Sequence, residues 1–184
     1  LDGTEPLFVV CPGSVWATKR WTVDGFAELI QKLTRDYGRV LLCGGPDDAP
    51  VAQMVHERSG QCGINLVGRA DLPTFMALAD RAQLVISNDS APMHVAVARN
   101  VPVVAIFCAT TPSLGYGPYS DRAVVVEKKD LFCRPCRRHG SPICPRGTDD
   151  CMRQVTVADV LAGVDTLIAN TRTKPMPVPF FVPE

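Results

Sequence analysis

Apolar residues along this chain form short continuous runs that alternate with longer stretches of helical spacing. The runs predict buried strands at 7–11, 39–43, 64–67, 84–86 and 103–107, with a sixth at 123–126. Between the first two strands, Phe26, Leu29 and Leu33 recur at helical spacing. The same kind of pattern predicts further helices at 49–59 and from Asp71, Ser90 and Thr156. Strand and helix therefore alternate, which is typical of a Rossmann-like, doubly wound parallel sheet of the α/β class.

Two stretches depart from this alternation. Residues 128–153 are irregular, polar and rich in cysteine, and from Asn170 onward the chain has no periodicity. The final stretch contains Pro175, Pro177, Pro179 and Pro183, which favour an extended conformation. The sequence thus predicts one folded domain over residues 1–170 and an extended Pro-rich tail over 171–184. The chain begins without Met and enters a strand almost at once, so we interpret it as the continuation of a longer polypeptide.

Composition and charge exclude several classes of protein. The 184 residues are 46% hydrophobic and 21% charged, as in ordinary soluble domains. Nineteen basic residues balance 19 acidic ones, so nucleic-acid binding has no electrostatic support. No apolar run is long enough to span a membrane, and no secretory signal is visible, so we expect a reducing compartment. The absence of a G-x-G-x-x-G fingerprint disfavours a dinucleotide dehydrogenase.

The stretch 84–107 reads LVISNDSAPMHVAVARNVPVVAIF and predicts a strand, a tight turn, a helix and a second strand. Asn88, Asp89 and Ser90 are all good helix caps, and Pro92 suits the first helical turn. The helix then begins at the carboxyl end of a buried strand, where its free N–H groups suit a phosphate. The carboxylate of Asp89 needs hydrogen-bond donors there, and sugar hydroxyls would serve. Together these features predict a site for a sugar that carries phosphate.

Other candidate residues follow the remaining predicted strands. The ammonium of Lys19 could reach a diphosphate and stabilise a departing nucleoside diphosphate, or it could be a solvated loop lysine. An acid at the place of Asp47 commonly accepts hydrogen bonds from a ribose, although Asp48 could serve equally, and either could cap the next helix. Main-chain groups at Arg69 and Ala70 could read an adenine edge. Thr110 and Thr111 could line the cleft or be ordinary loop residues.

The irregular stretch carries four of the eight cysteines, in the pattern Cys133-x2-Cys136-x7-Cys144-x6-Cys151. One half is a good chelating pair, but the second half lacks the usual two-residue spacing. A structural zinc site, a pair of disulfides and four free thiols all remain open. The arginines and histidine among these cysteines could meet an anionic acceptor or simply be solvated.

The segment Ser87–His94, SNDSAPMH, resembles the S-N-D-S-G-P-M-H signature of the heptosyltransferases of lipopolysaccharide core synthesis, glycosyltransferase family 9. Further segments agree with that family in order and spacing: PGS at 12–14 with TKRW at 18–21, GGPD at 44–47, and NLVG at 65–68. The resemblance covers roughly residues 7–170. Ala91 stands where the family usually has Gly, and FCATTP at 107–112 replaces a more usual F-G-P-T-x-P.

The resemblance assigns roles to residues of this sequence. It implies that Lys19 binds phosphate with Ser14 and Thr18 as nearby donors, and that Asp47 contacts the ribose. It also implies a donor-binding role for Asp89, Ser90, Ala91 and His94, with His94 as a structural support at the border of the pocket. Lys19 and Asp89 are the expected catalytic residues.

By resemblance, the chain is one half of a GT-B glycosyltransferase, the carboxy-terminal half that binds the nucleotide sugar. The implied reaction transfers heptose from ADP-heptose to the lipopolysaccharide inner core, with inversion and without a metal or other catalytic cofactor. The implied partners are this donor, the core acceptor and a missing amino-terminal acceptor domain that supplies the base. The implied location is cytoplasmic, at the inner face of the inner membrane. Rival interpretations are a nucleotide-sugar epimerase or hydrolase of the same fold and a non-catalytic nucleotide-sugar-binding module.

Overall fold

The computed structural model describes residues 5–173, and these form one six-stranded, wholly parallel sheet with the strand order β3-β2-β1-β4-β5-β6. The strands are β1 (Leu7–Cys11), β2 (Arg39–Leu42), β3 (Ile64–Asn65), β4 (Leu84–Asn88), β5 (Val103–Phe107) and β6 (Ala123–Glu127). The helices are α1 (Val23–Asp36), α2 (Ala49–Arg58), α3 (Leu72–Arg81), α4 (Ala91–Ala98), α5 (Asp150–Arg153) and α6 (Val157–Thr173). The predicted Rossmann-like α/β architecture is confirmed.

Two helices differ from the prediction. The stretch 128–153 is not irregular throughout, because its last four residues form the short helix α5. The helix α6 continues to Thr173, beyond the predicted boundary at residue 170, since no proline intervenes before Pro175. The rest of the predicted Pro-rich tail lies outside the described residues. Within residues 5–173, no helix combines the length and the hydropathy needed to span a bilayer.

The sheet is buried on both faces, as expected for parallel strands with crossover helices. Alternate residues of β1 enter two separate cores, with Phe8 and Val10 in one, and Val9 and Cys11 in the other. The first core is completed by α1, α2 and α6, and the second by α3 and α4. All five residues of β1, β4 and β5 are buried, so the middle of the sheet is a rigid platform for the loops that leave it.

The chain reverses its direction of winding between β1 and β4. From β1 it proceeds outward through β2 to β3, then returns to place β4 on the other side of β1. In such sheets the loops that leave the two central strands diverge and open a crevice at their carboxyl ends. The register pairs Cys11 with Ser87, so the loop from Pro12 and the turn at Asp89 lie on either side of this crevice.

Candidate functional site

An ion pair between Lys19 and Asp89 lies at the centre of the crevice. Lys19 ends a single 3₁₀ turn in the β1–α1 loop, and its Nζ lies 2.8 Å from Oδ2 of Asp89, which directly follows β4. The Lys19 side chain is 15% exposed and that of Asp89 only 3%. A carboxylate so far removed from water is costly unless it is paired, and Lys19 supplies the opposite charge. The structure therefore brings the two predicted catalytic residues together.

Thr110 is a second partner of the same carboxylate. Its hydroxyl, which is buried at the carboxyl end of β5, donates to Oδ2 of Asp89 at 2.6 Å. Neither this bond nor the ion pair involves Oδ1 of Asp89, so one oxygen remains for a further donor. The sequence placed Thr110 at this edge of the sheet but did not pair it with Asp89. The signal was its position after the strand that neighbours β4.

Asn88 has a role that the sequence analysis missed. It was one of three candidate helix caps with Asp89 and Ser90, but Ser90 takes the N-cap position. Asn88 instead ends β4, and its side chain is wholly buried beneath the β1–α1 loop. Its Oδ1 accepts from the backbone N–H of Trp21 at 2.9 Å. Its Nδ2 donates to the carbonyls of Pro12 at 2.9 Å and Gly13 at 3.2 Å. One amide therefore fixes both ends of the loop that carries Lys19.

Helix α4 begins at the crevice, as predicted, but without the predicted side-chain cap. Ser90 occupies the N-cap position with extended backbone angles and makes no capping hydrogen bond. Its hydroxyl instead lies 3.2 Å from that of Ser87. Ala91 is the exposed first residue of the helix, and His94 is exposed one turn further on. The amino end of α4 thus keeps its positive dipole end and uncapped N–H groups beside Asp89.

Ser14 and Thr18 are both buried in the β1–α1 loop, at 6% and 4% exposure. The backbone carbonyl of Ser14 accepts from Nε of Arg20 at 2.8 Å. The hydroxyl of Thr18 donates to the carbonyl of Ser141 at 2.9 Å and accepts from its N–H at 2.8 Å. Thr18 therefore binds the cysteine-bearing stretch in this structure, while its neighbour Lys19 reaches Asp89.

The residues predicted to contact the nucleoside lie at the β2–β3 side of the sheet and are more open. Asp47 is exposed in the 3₁₀ turn Pro46–Asp48 that follows β2. Asp48 accepts from the N–H of Gly45 at 3.0 Å, and its carboxyl group packs so closely on Gly13 that a Cβ there would lie 2.0 Å from Asp48 Cγ. Of the two adjacent acids, Asp48 is therefore engaged within the protein and Asp47 faces solvent.

Arg69 and Ala70 follow β3, with Arg69 exposed and Ala70 half-buried. Asp71 caps α3 by accepting from the N–H of Thr74 at 2.9 Å, as predicted. A cavity of about 740 Å³ lies between α2 and β3 and is lined by Ala49, Gln53, His56, Gln61, Gly63, Ile64, Asn65, Val67 and Arg69. Apart from Arg69, its lining contains none of the predicted site residues, so this cavity is not where the Lys19–Asp89 pair lies.

All eight cysteines are free thiols, so the predicted alternative of two disulfides is not seen. Burial, and then the neighbouring Cys133 and Cys144, raise the pKa of Cys136, while burial raises the pKa of Cys151 to about 11. Backbone N–H groups, that of Asp149 foremost, lower the pKa of Cys144. The four thiols are thus electrostatic neighbours, but no group of three or more His, Cys, Asp or Glu side chains within residues 5–173 is arranged to hold a metal ion.

The chain is similar in sequence and in fold to known proteins. Residues 1–145 match the profile of glycosyltransferase family 9 (heptosyltransferase). The chain is 34% identical over 139 residues to lipooligosaccharide heptosyltransferase 2 of Haemophilus ducreyi, a match that covers 71% of this chain and 40% of that protein. It is 30% identical over 169 residues to lipopolysaccharide heptosyltransferase 3 of Escherichia coli, covering 90% and 48% respectively.

Solved structures show the same similarity. The E. coli ADP-heptose lps heptosyltransferase II superposes with a TM-score of 0.76 at 25% identity, over 94% of this chain and 49% of that one. A family 9 glycosyltransferase from Veillonella parvula superposes with a TM-score of 0.78 at 29% identity, over 93% and 48%. The chain thus spans about half the length of these relatives. It belongs to glycosyltransferase family 9, the heptosyltransferases.

Proposed function

We propose that this chain is the donor-binding half of a GT-B heptosyltransferase that transfers heptose from ADP-heptose to the lipopolysaccharide inner core. The observation that carries the proposal is the Lys19–Asp89 pair in the crevice between β1 and β4, beside the amino end of α4. A cation and free helix N–H groups at a topological switch point favour a diphosphate. Family membership supports heptose transfer, and the E. coli relative is named for ADP-heptose.

Lys19 is the proposed ligand of the diphosphate. As the bond between the sugar and ADP breaks, negative charge grows on the leaving oxygen, and a cation already in place lowers the barrier. The N–H groups at Ser90 and Ala91 add the positive end of the α4 dipole. These groups do the work that other enzymes give to a divalent cation, so the proposed reaction is independent of metal. Ser14 is the proposed neighbour of the diphosphate on the β1 side, with Thr18 beside it.

Asp89 is the proposed ligand of the sugar. Its Oδ2 is occupied by Lys19 and Thr110, whereas Oδ1 can accept from a sugar hydroxyl. When Lys19 turns toward the diphosphate, Asp89 loses part of its neutralising charge, and donors on the sugar can compensate. The exposed carboxylate of Asp47 is the proposed acceptor for the ribose, and the turn at Arg69 and Ala70 is the proposed neighbour of adenine. His94, on α4, is the proposed structural support at the border of the donor pocket.

The proposed transfer inverts the anomeric carbon. A base on the amino-terminal acceptor domain removes the proton from the acceptor hydroxyl, which attacks the sugar on the face opposite the diphosphate. The rate depends on the closeness and alignment of the two reactants, which requires both halves of the enzyme. The acceptor is a lipid-anchored core, so the proposed location is the cytoplasmic face of the inner membrane.

Transfer assays on two proteins test the proposal. The 184-residue chain should bind ADP weakly and transfer nothing, because the proposed amino-terminal acceptor domain would supply the other half of the cleft. The polypeptide extended by the amino-terminal domain should transfer heptose from ADP-heptose to a lipopolysaccharide-core acceptor. Release of heptose without an acceptor, at the same rate as with it, would instead indicate a hydrolase. Turnover by the 184 residues alone would show that this division of labour is wrong.

A structural zinc bound by Cys133, Cys136, Cys144 and Cys151 stays a prediction. Their arrangement does not form a closed tetrahedral site as it stands, and no step of the proposed mechanism uses a metal. Elemental analysis of protein prepared without added metal decides the question. About one zinc per chain would assign the four thiolates to a metal, whereas metal-free protein with reactive thiols would leave them as free cysteines.

A further inference from the structure

Residues 128–149, here called the cysteine segment, contain no helix or strand, yet they lie against the proposed diphosphate site. The proposed mechanism assigns them no role. Their contacts with the crevice are nonetheless specific, because they touch both the loop after β1 and the loop after β5.

Arg134 anchors the segment to the end of β5. Its side chain is 2% exposed, its Nη2 donates to the carbonyl of Thr110 at 2.6 Å, and it pairs with Glu127 at 2.8 Å. Its guanidinium also donates to the carbonyls of Phe107, Cys108 and Lys128. This buried fork fixes the backbone of Thr110, whose hydroxyl binds Asp89. Arg134 therefore connects the cysteine segment to Thr110, one of the two hydrogen-bonding partners of the Asp89 carboxylate.

Gly140 and Ser141 bring the cysteine segment into contact with the loop that carries Lys19, the other partner of Asp89. Ser141 and Thr18 share three hydrogen bonds, of which the third joins the N–H of Thr18 to the carbonyl of Ser141 at 3.1 Å. Gly140, with φ of +84°, lies on the aliphatic part of Lys19. A Cβ added there would lie 2.9 Å from Cγ and 3.2 Å from Cδ of Lys19, and 3.0 Å from Cβ of Trp16.

We propose that Gly140 and Ser141 are positioning residues that hold Lys19 in reach of the diphosphate. The inference rests on the proposed function and adds to it a task for the cysteine segment. Ser141 fixes the backbone of the 3₁₀ turn, and Gly140, which has no side chain, packs closely on the lysine stem and confines it where it reaches Asp89. Since a flexible lysine would otherwise divide its time among several rotamers, this confinement raises the fraction that is ready for the ligand.

The chain contains a matched pair of glycines for the test. Gly147, in the same segment, also has a positive φ of +71°, but a Cβ there would meet nothing within 4 Å. Gly140→Ala and Gly147→Ala thus share the backbone strain of an alanine at positive φ, and only the first displaces Lys19. Calorimetry should show that Gly140→Ala weakens ADP binding by about tenfold, while Gly147→Ala changes it by less than about twofold.

A double-mutant cycle separates positioning from a merely structural effect. If Gly140 acts through Lys19, then adding Gly140→Ala to Lys19→Ala should change ADP affinity by less than about twofold. An undiminished effect in that background would overturn the proposal, as would a folded Gly140→Ala variant that binds ADP normally. If Gly140→Ala does not fold, Thr18→Val, which removes two of the three bonds to Ser141, takes its place in the cycle. Wild-type protein that folds but does not bind ADP would overturn the proposed function itself.

Discussion

The two ends of the candidate donor site are built differently. At the β1–β4–β5 end, each polar side chain has a hydrogen bond or an ion pair with another site residue or with a loop: Lys19, Asn88, Asp89 and Thr110. Three of these four residues are buried. At the β2–β3 end, Asp47 and Arg69 are both exposed. Within residues 5–173, neither of these makes a side-chain hydrogen bond or ion pair of its own.

The difference follows the proposed chemistry. In the proposed reaction, charge would develop on the leaving diphosphate, and fixed groups in a dry environment would stabilise it without having to reorganise. The nucleoside carries no changing charge, so its contacts need only contribute affinity. Exposed, water-screened side chains suffice for that purpose. The hydrogen-bonded, buried end of the candidate site is thus the end at which the proposed reaction would develop charge.

The largest effect should come from removing the buried amide of Asn88. Asn88→Ala loses three hydrogen bonds and leaves the groups of Pro12, Gly13 and Trp21 unpaired, which should lower the free energy of unfolding by about 3 kcal/mol. As a control at the open end, Asn65→Ala loses one local bond to the N–H of Val67 and should cost about 1 kcal/mol. Chemical denaturation measures both, and equal costs would mean that the two ends are not built differently.

Next in size is the loss of ADP affinity in Lys19→Ala. Removing a charge-assisted contact with the diphosphate should weaken binding by about 1–3 kcal/mol. Lys129→Ala, which removes an exposed lysine after β6, should leave ADP affinity unchanged. Calorimetry that shows the same affinity for Lys19→Ala and the wild type would remove Lys19 from the site.

Asp89→Asn should distinguish the contribution of sugar contacts to binding from that of diphosphate contacts. The amide keeps the shape of the side chain but removes a negative charge beside the phosphates, so ADP binding should be retained or tightened. ADP-heptose should lose about 1 kcal/mol relative to ADP, because hydroxyls bind an amide oxygen less strongly than a carboxylate. Equal losses for the two ligands would indicate that Asp89 only supports the fold.

The smallest effect on ADP affinity is expected at the exposed β2–β3 end of the candidate site. Asp47→Ala should weaken ADP binding by less than about 1 kcal/mol and leave the binding of inorganic pyrophosphate unchanged, since the ribose contact alone is removed. The neighbouring variant Asp48→Ala should instead lower the melting temperature, because Asp48 binds the N–H of Gly45 and packs on Gly13. If Asp47→Ala weakened pyrophosphate binding, Asp47 would lie beside the diphosphate, and the proposed ribose contact would be wrong.

The sequence predicted the fold well, because its apolar runs and helical repeats are strong local signals. The strand β4 was predicted to end at residue 86, two residues too early, because a strand that ends in buried polar residues, here Ser87 and Asn88, gives no hydrophobic signal. Such residues are also good helix caps, so local chemistry favoured the wrong element. The extension of α6 to Thr173 was missed for a related reason, since prolines further along suggested an earlier end.

The residues of the candidate site could be named from the sequence, but their contacts with one another could not. Both Lys19 and Asp89 were named from their places after strands and from the family signature. The bond from Thr110 to Asp89 depends on the register that pairs Asn88 with Ile106, which a single sequence does not reveal. The hydrogen bonds between Thr18 and Ser141 join residues that are 123 positions apart in the sequence. Because Ser141 lies in a segment without periodicity, no sequence pattern could have indicated these bonds.

Mapping ADP onto the chain by nuclear magnetic resonance tests the central claim most directly. In a titration of the ¹⁵N-labelled protein, the account predicts saturable amide shifts that are largest at residues 13–19 and 89–93, on the two sides of the β1–β4 crevice. Smaller shifts should follow near Asp47 and Arg69. Saturable shifts that leave residues 13–19 and 89–93 unchanged, for example shifts confined to the cavity beside β3, would contradict it.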